Sequence, residues 1–269
     1  ESPKGYVLSE EEIAVTIGKV DEVVEIELVN YFIKGNIALT KVDEDYPDNK
    51  LSGAVFEVYS DTNGDGKLDK DDTLLGEMKE LDGGVYQMSE LRYGKYLVKE
   101  TKAPTGFVLD ENVYSVSVEE NGKTYTVENK AGVGFINAAQ KGSLKIVKTS
   151  SDGKVEGFSF RVTGVDYDQT FKTDKNGEIV IEGLRIGDYT VSEVSNKASA
   201  GYILPADKQA TVKVDATAIV QMHNEFRDTP KTGDDFNLGL WVSLAALSVV
   251  GAGVLGFVGY KNRKKKKED

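Results

Sequence analysis

The stretch KGNIALTKVD, residues 34–43, recurs as KGSLKIVKTS at residues 141–150, an offset of 107 positions (141 − 34). In both copies apolar and polar side chains alternate, which is the period of a β-strand with one face in a protein core. Each apolar stripe ends in a lysine on the same face, Lys41 in the first copy and Lys148 in the second. The stretch therefore predicts the first strand of a repeated β domain, with a lysine at the end of its inward face.

Two more segments recur in the same order along the chain. They are YLVKE and YTVSE, residues 96–100 and 189–193, followed by GFIN and VQMHN, residues 134–137 and 220–224. The same alternation places a glutamate at the inward end of one segment, Glu100 or Glu193, and an asparagine at the inward end of the other, Asn137 or Asn224. Each repeat is thus predicted to bring a lysine, a glutamate and an asparagine to its inward face.

Short runs rich in Val, Ile, Thr and Tyr, broken by Gly, Asn and Asp, predict an all-β chain of many short strands. The repeats divide it into the C-terminal remnant of a preceding repeat at 1–34, a whole repeat at 35–140 and a second whole repeat at 141–228. In the remnant, Val24, Ile26 and Leu28 form the predicted inward apolar stripe, and Asn30 occupies the asparagine position. Because the chain starts at Glu1 without a Met or a secretory signal, we expect a fragment whose N-terminal part is missing.

The chemistry of the three residue types depends on their burial. A buried, unpaired charge is costly, so burial lowers the pKa of a lysine amine and raises that of a carboxylic acid. A neutral amine is a nucleophile, a neutral carboxyl can polarise an amide, and an asparagine amide can acylate an amine when ammonia leaves. These are the groups needed for an intramolecular Lys–Asn amide bond. The alternative for each residue alone is a solvated charge at the rim of the domain and an asparagine that begins a turn.

These segments resemble the collagen-adhesin B-type domains, which are SpaA-like or pilin-like modules of Gram-positive surface proteins. The resemblance is carried by IALTKVD, YLVKETKAPTGF and GFINAAQKG, together with their second copies. It implies tandem Ig-like or prealbumin-like β-sandwiches. In that family a lysine on the first strand bonds to an asparagine on the last strand, and a glutamate between them promotes the reaction.

Carried over by position, the resemblance assigns a role to each inward polar residue. The implied cross-links are Lys41–Asn137, promoted by Glu100, and Lys148–Asn224, promoted by Glu193, with Asn30 as the acceptor of the truncated repeat. The family box E-x-x-A-P-x-G-aromatic is complete in the first whole repeat. It is degenerate in the second, which reads EVSNKASAGY, and this difference favours the first repeat for the reaction.

Composition excludes several functions. The chain has no cysteine and a single histidine, His223, which excludes disulfides, thiolate chemistry and most histidine catalysis, and no G-x-S-x-G elbow accompanies that histidine. The net charge of −12 argues against nucleic acid as a partner. The expected chemistry is therefore single-turnover amide formation, for which no cofactor is required.

The first whole repeat contains an acidic insertion, DTNGDGKLDKDD at residues 61–72. Its order matches the start of a calcium-binding loop, D-x-[DN]-x-[DN]-G, so Ca²⁺ is the metal that the sequence indicates. The predicted ligands are Asp61, Asn63, Asp65, the Lys67 carbonyl, Asp69 and Asp72. A longer Glu is usual at the last position, and Asn-Gly and Asp-Gly also form hairpin turns, so an acidic hairpin is the alternative.

The C-terminal segment, residues 229–269, combines a polar pentapeptide, an apolar run and a basic tail. Residues 238–260 carry no charge and are long enough for a single transmembrane helix, and the Lys and Arg residues after them predict a cytoplasmic end. A plain membrane anchor would need only these two features. The pentapeptide, however, resembles the LPXTG-type wall-sorting signal of sortase substrates. It consists of Thr229, Pro230, Lys231, Thr232 and Gly233.

That resemblance implies that a sortase cleaves between Thr232 and Gly233 and joins Thr232 to peptidoglycan, so the membrane helix belongs to a transient intermediate. We expect a secreted protein on the cell wall of a Gram-positive bacterium, acting as a stalk, an adhesin or a pilin-like structural protein. A host-matrix or cell-surface ligand would bind through its N-terminal regions. The alternatives are an accessory pilin and the stalk of a wall-anchored enzyme whose catalytic domain precedes this fragment.

Overall fold

The computed structural model describes residues 2–227. Within them the chain is all β, with seventeen strands and no helix, as the sequence predicts. The strands form two β-sandwiches inside one compact unit, Glu1–Phe226. In the described part of the chain no helix is long and apolar enough to cross a membrane. The predicted transmembrane segment at 238–260 lies outside the described residues.

Sandwich 1 is built from the first nine strands. They are β1 Lys34–Asp43, β2 Val55–Ser60, β3 Thr73–Glu77, β4 Lys79–Asp82, β5 Val85–Arg92, β6 Gly94–Lys102, β7 Val113–Val118, β8 Thr124–Thr126 and β9 Phe135–Asn137. One sheet has the order β4-β5-β1-β8, with β9 also paired to β1, and the facing sheet has the order β3-β2-β6-β7. The predicted lysine strand, β1, is therefore central in its sheet.

Sandwich 2 is built from the remaining eight strands. They are β10 Lys141–Ser150, β11 Ser159–Gly164, β12 Tyr167–Lys172, β13 Glu178–Arg185, β14 Gly187–Val194, β15 Tyr202–Ile203, β16 Lys208–Val212 and β17 Thr217–Phe226. Its sheets have the orders β13-β10-β17-β15 and β12-β11-β14-β16. The plan of sandwich 1 is repeated, with β10 in the place of β1.

In both sandwiches the last strand runs parallel to the first. In sandwich 2, β17 pairs with β10 over residues 217–224 without a break. In sandwich 1 the equivalent segment is divided into β8 and β9, each of which pairs with its own part of β1. Parallel pairing brings the C-terminal ends of the first and last strands to the same edge of the sheet, where the predicted lysine and asparagine lie.

The apolar stripes predicted from the alternation form the two cores. In sandwich 1, Ile37 and Leu39 pack with Phe56, Val98 and Phe135, all of which are almost inaccessible to solvent. The core of sandwich 2 contains the equivalent set, which includes Leu144, Ile146, Phe160, Val191 and Met222. Each fully buried side chain of this size contributes about 1.5–3 kcal/mol. The lysines, glutamates and asparagines thus end stripes that are held firmly in place.

The segment before β1 forms no strand beyond an isolated bridge between Tyr6 and Phe32. The apolar stripe that the sequence predicts at residues 24–28 is exposed to solvent, and so is Asn30. No strand among residues 2–227 pairs with this stretch, and an unpaired strand has no neighbour to bind its backbone N–H and C=O groups. The predicted inward stripe of the remnant is therefore not formed here.

The end of the remnant is nevertheless built like the end of the first whole repeat. The Ile33 N–H donates to the Gly5 carbonyl at 2.8 Å, as the Gln140 N–H donates to the Gly106 carbonyl at 2.8 Å. Ile33 follows Asn30 by three positions, as Gln140 follows Asn137, so the correspondence of the two asparagines extends to the backbone hydrogen bonds that lead into β1 and β10.

A cluster of four charged residues joins the two sandwiches. The Arg185 guanidinium donates to both carboxylate oxygens of Asp43, at 2.6 and 2.8 Å, and to Asp45 at 3.0 Å. The Lys141 ammonium lies 3.1 Å from Asp45. Burial alone would raise the pKa of Asp43, but the hydrogen bonds from Arg185 and from backbone N–H groups outweigh it and the pKa is lowered. The joint is therefore a charged, bidentate contact.

Candidate cross-linking sites

The strand register explains why a lysine and an asparagine meet in each sandwich. Lys41 lies opposite Phe135 in the β1–β9 ladder, and Asn137 is the next residue of β9 on the same face. The register of Lys148 and Asn224 has the same two-residue offset. Because side chains two apart on a strand share a face, both pairs point into the space between the sheets, where β6 and β14 bring the glutamates.

In sandwich 1 the three predicted residues form one connected group. The Asn137 side-chain N–H₂ donates to both Glu100 oxygens at 3.0 Å, and the Lys41 ammonium donates to the Asn137 side-chain oxygen. The Lys41 Nζ is 3.4 Å from Glu100 Oε1. The side chains of Lys41 and Glu100 are fully buried, and Asn137 is 3% exposed. The amide that would be attacked thus lies between the nucleophile and the carboxyl group.

Burial sets the protonation of the lysine. Desolvation lowers the pKa of Lys41 to about 8, although the charge and hydrogen bond of Glu100 act in the opposite direction. The Lys41 Nζ also lies 4.6 Å from the centre of the Phe135 ring. A substantial fraction of this lysine is therefore a neutral amine at mildly alkaline pH, which is the form that attacks a carbonyl.

A glycine allows β9 to approach β1. Gly134 directly precedes β9 and has φ +133°, which is unfavourable for other residues. A Cβ at this position would lie 2.8 Å from the carbonyl oxygen of Thr40. The GFIN segment therefore depends on its glycine for the distance between Asn137 and Lys41.

Sandwich 2 holds the same trio in a different arrangement. The Asn224 side-chain N–H₂ donates to Glu193 at 2.7 Å, but the Lys148 ammonium donates to the backbone carbonyl of Thr149. One Glu193 oxygen and the Asn224 side-chain oxygen are buried without a hydrogen-bond partner among the described residues. Desolvation lowers the pKa of Lys148 to about 8 and raises that of Glu193. The three residue types match those of sandwich 1, but the lysine side chain is directed to the Thr149 carbonyl instead of to the asparagine.

Sequence reasoning missed a polar group behind the trio of sandwich 1. Asp110 and Asn129 lie on the loops after β6 and after β8, and they connect the Glu100 side chain to the backbone of β9. Neither residue belongs to a recurring segment, and no strand alternation marks them. The signal that could have found them is the asparagine just before the glycine-rich turn into GFIN.

The acidic insertion lies where the sequence alignment put it. Residues 61–72 connect β2 to β3, whereas the equivalent strands of sandwich 2 are joined by two residues, 165 and 166. Strands flank the loop, so it is not part of an EF-hand helix pair. The insertion is thus a long hairpin loop on one sandwich only.

The loop is closed by its own carboxylates. Asp61 accepts backbone N–H groups from Gly64 at 2.7 Å and from Gly66 at 3.1 Å, and Asp72 accepts the Thr62 N–H at 3.1 Å. Among residues 2–227 no group of three or more acidic or histidine side chains is placed to hold a metal ion. The remaining predicted ligands, Asn63, Asp65, Lys67 and Asp69, lie in the same loop. The spacing of these residues fits a calcium loop, and calcium binding stays a prediction.

Two other predicted sites have different outcomes. Asn30 is exposed and lies outside both trios. The pentapeptide Thr229 to Gly233 lies outside the described residues. His223 lies on β17 with its Nδ1 2.8 Å from the Thr149 hydroxyl.

The chain is therefore a tandem pair of prealbumin-like β-sandwiches, each with an inward lysine, glutamate and asparagine. All six residues are buried except Glu193, which is half-buried. The family model described as the SpaA prealbumin-like fold domain matches residues 35–131 and 142–226. The chain belongs to this SpaA family, as the resemblance of its strand motifs predicted.

Solved structures show the same fold. The TIE protein of Bacillus anthracis is 26% identical over 84% of this chain, with a TM-score of 0.63, and the match covers 40% of that protein's chain. The chain thus spans less than half the length of this relative.

Two pilins are also similar. The minor pilin GBS52 of Streptococcus agalactiae is 18% identical, over 75% of this chain and 100% of its own, with a TM-score of 0.33. The shaft pilin SpaA of Lactobacillus rhamnosus GG is 15% identical, over 73% of this chain and 99% of its own, with a TM-score of 0.33. Comparison with curated proteins found no match.

Proposed function

We propose that the chain is the stalk portion of a pilin-like or adhesin-like surface protein, and that each sandwich closes itself with a Lys–Asn amide bond. The observation that carries this proposal is the fully buried trio of sandwich 1, in which the Asn137 amide touches both Lys41 and Glu100. Membership of the SpaA family supports the structural role. The proposed role is mechanical, because a covalent link between the first and last strands resists unfolding.

The reaction is balanced without an external reagent. The neutral Lys41 Nζ attacks Asn137 Cγ, a bond forms between these two atoms, and the bond from Cγ to Nδ2 breaks. Glu100 takes a proton from the attacking nitrogen and delivers one to Nδ2, which leaves as ammonia. Its oxygens are 3.4 Å from Nζ and 3.0 Å from Nδ2, within or near hydrogen-bonding reach of both.

The same reaction in sandwich 2 needs one further step. Lys148 must rotate from the Thr149 carbonyl to the Asn224 amide before it can attack. Among residues 2–227 one buried oxygen of Asn224 and one of Glu193 have no hydrogen-bond partner. This favours the rotation, because an unsatisfied buried polar atom costs about 1–3 kcal/mol. We therefore propose that the second bond forms after the first.

Intact-protein mass tests the cross-links, because each bond lowers the mass by one ammonia. We expect the purified, folded chain to lack two ammonias and peptide mapping to join Lys41 to Asn137 and Lys148 to Asn224. A Lys41→Met chain is the matched control and should lack only one. A folded wild-type chain with its full mass would overturn the proposal.

We propose in addition that the C-terminal segment is a wall-sorting signal. The support is the order of pentapeptide, uncharged run 238–260 and basic tail. A sortase would cut between Thr232 and Gly233 and attach the protein to peptidoglycan, after a transient single-pass membrane stage. The expected location is the extracellular face of a Gram-positive cell wall.

Cell fractionation tests the anchor. In a host that expresses a sortase, wild-type chain should be released by wall-degrading enzymes with Thr232 as its last residue. Thr232→Ala should stay with the membrane, and Thr229→Leu, which restores the usual first residue of the signal, should still reach the wall. Covalent attachment of Thr232→Ala chain to the wall would contradict the signal.

A further inference from the structure

The acceptor strand of sandwich 1 has only three residues, and its outer edge is covered by a side chain instead of a strand. The Asn129 oxygen accepts the Ile136 N–H at 2.6 Å, and the Asn129 N–H₂ donates to the Ile136 carbonyl at 2.8 Å. On the opposite edge of β9, the Glu44 N–H donates to the Asn137 carbonyl at 3.1 Å. The Asn129 amide thus reproduces the hydrogen bonds of a neighbouring strand, one residue before the acceptor.

The same asparagine is tied to the carboxyl side of the site. The Asn129 N–H₂ also donates to Asp110 Oδ2 at 2.9 Å, and the Tyr114 hydroxyl donates to that oxygen at 2.7 Å. The backbone N–H of Asp110 donates to Glu100 Oε2 at 2.8 Å. A continuous chain of hydrogen bonds therefore runs from Glu100 through Asp110 and Asn129 to the backbone of β9.

We propose that Asn129 and Asp110 are positioning residues for amide formation in sandwich 1. They fix the acceptor strand relative to Glu100, and neither side chain touches the lysine nitrogen or the amide carbon. The inference rests on the proposed cross-link. Its physical basis is that a strand with only three partners in its ladder can shift, and a displacement of about 1 Å between reacting groups can slow a reaction about 100-fold.

The second sandwich shows why such a device is needed only once. Asn224 lies in β17, which has eight consecutive partners in β10, whereas β9 has three partners in β1. Just beyond the two acceptors the outer edges are alike, since Ala139 pairs with Phe107 as Phe226 pairs with Tyr202. The longer ladder to the first strand fixes Asn224 through the backbone alone. Where the last strand is broken, side chains from two loops take over that role.

The test follows bond formation during refolding. Unlinked chain is recovered from insoluble aggregates in urea, where the site is not assembled, and is then diluted into buffer. Peptide mapping at intervals measures the Lys41–Asn137 and Lys148–Asn224 bonds separately. We expect Asn129→Ala to form the Lys41–Asn137 bond about 10–100-fold more slowly and the Lys148–Asn224 bond at the wild-type rate. Asn196→Ala is the matched control, because it removes a half-buried asparagine that fixes a loop of sandwich 2.

A pH profile separates positioning from a general loosening of the fold. Glu100 and Asp110 are the charged groups that face Lys41. If Asn129 only positions β9, the Asn129→Ala rate keeps its midpoint near pH 8, the pKa of Lys41, and is lower at every pH. A site opened to water would move the midpoint upward toward that of an ordinary lysine. Asp110→Asn keeps an acceptor oxygen and should lose less rate than Asp110→Ala.

The outcomes are distinguishable. A wild-type rate for Asn129→Ala, or a slow rate with the midpoint moved upward, overturns the positioning role and leaves the cross-link intact. A wild-type chain that never loses ammonia overturns the cross-link and the positioning role together. Slower bond formation with an unchanged midpoint supports both.

Discussion

In sandwich 1 the last strand is interrupted and the acceptor strand β9 has three residues, whereas in sandwich 2 the last strand β17 has ten. The interrupted strand holds Asn137 against both Lys41 and Glu100. The unbroken strand holds Asn224 against Glu193 alone, with Lys148 turned to a backbone carbonyl. The more regular ladder therefore belongs to the less complete site.

The difference shows that backbone register and side-chain assembly are separate requirements. Both lysines have the same register relative to their asparagines. The direction of the lysine side chain separates the assembled site from the other one, and a rotamer change can remove that difference without breaking a ladder. The sites are thus expected to differ in the rate at which they form their bonds more than in whether they form them.

Replacement of the glutamates should have the largest effect on the rates at which the two sandwiches form their bonds. Glu100→Gln keeps the shape of the side chain but cannot relay a proton, and general acid–base catalysis contributes about 10²–10⁴-fold. We expect Glu100→Gln to slow the Lys41–Asn137 bond by that factor and to leave the Lys148–Asn224 bond unaffected. Glu193→Gln should slow the Lys148–Asn224 bond and leave the Lys41–Asn137 bond unaffected. Peptide mapping during refolding measures both bonds. A Glu100→Gln chain that links sandwich 1 at the wild-type rate would contradict the role of Glu100.

Loss of either bond should cost each sandwich a similar amount of stability. The bonds close loops of 96 positions (137 − 41) and 76 positions (224 − 148), and the chain-entropy relation for cross-links gives about 4.5 kcal/mol for each. We therefore expect Asn137→Ala to lower the free energy of unfolding of sandwich 1 by about this amount. Asn224→Ala should do the same in sandwich 2. Denaturant unfolding combined with hydrogen exchange assigns the loss to one sandwich.

The matched control for this prediction is a chain that lacks the bond but keeps the asparagine. Glu100→Gln chain isolated before its bond forms should be destabilised nearly as much as Asn137→Ala, since neither has the cross-link. If Glu100→Gln chain without the bond is as stable as the linked wild type, the bond does not stabilise the sandwich.

Much of the fold and of both trios could be predicted from the sequence, because strand alternation and repetition report directly on which side chains point inward. Lys41, Glu100 and Asn137 were found in this way, and all three lie in one buried group. The same alternation failed at residues 24–28, which are exposed. Alternation describes a face, and a face is buried only where a second sheet covers it.

The parts that could not be predicted come from loops. Asn129 and Asp110 have no counterpart in the second repeat, and the division of the last strand into β8 and β9 leaves no periodic signal. The direction of the Lys148 side chain also cannot be predicted from the sequence, because a rotamer depends on the packing around it. The joint through Asp43 and Arg185 depends on how two domains meet, which no single-strand pattern contains.

The pH dependence of stability provides a smaller test of lysine burial. Burial lowers the pKa of Lys41 to about 8 from its ordinary 10.5, and we expect the unlinked Asn137→Ala chain to keep this lysine buried. Between these pH values the unfolded chain binds more protons than the folded chain, so stability should rise as the pH rises from about 8 to 10.5, by at most about 3 kcal/mol. Denaturant unfolding across this window measures the slope.

The burial of Glu193 predicts a pH dependence of stability in sandwich 2 at acidic pH. The pKa of Glu193 is raised by burial, so its contribution to stability is present below the ordinary value of 4.5 and is lost as the pH rises through the folded value. An unlinked Asn224→Ala chain should show this falling slope in sandwich 2, and an additional Glu193→Gln substitution should remove it.

In sandwich 1, Lys41→Met should remove the alkaline slope, and a slope that survives would mean that another group titrates there.

The calcium loop gives the smallest predicted difference, and it bears on sandwich 1 alone. If the loop binds Ca²⁺, a concentration 100 times the dissociation constant would stabilise sandwich 1 by about 2.7 kcal/mol, and a chelator would reverse the gain. Asp65→Ala should abolish the response, because Asp65 is a predicted ligand whose loss leaves the closing contacts of Asp61 and Asp72 in place. Asp174→Ala, which removes a turn-forming carboxylate from sandwich 2, is the control and should leave the response unchanged. An unfolding midpoint of sandwich 1 that ignores both calcium and chelator would establish the insertion as an acidic hairpin closed by its own backbone N–H groups.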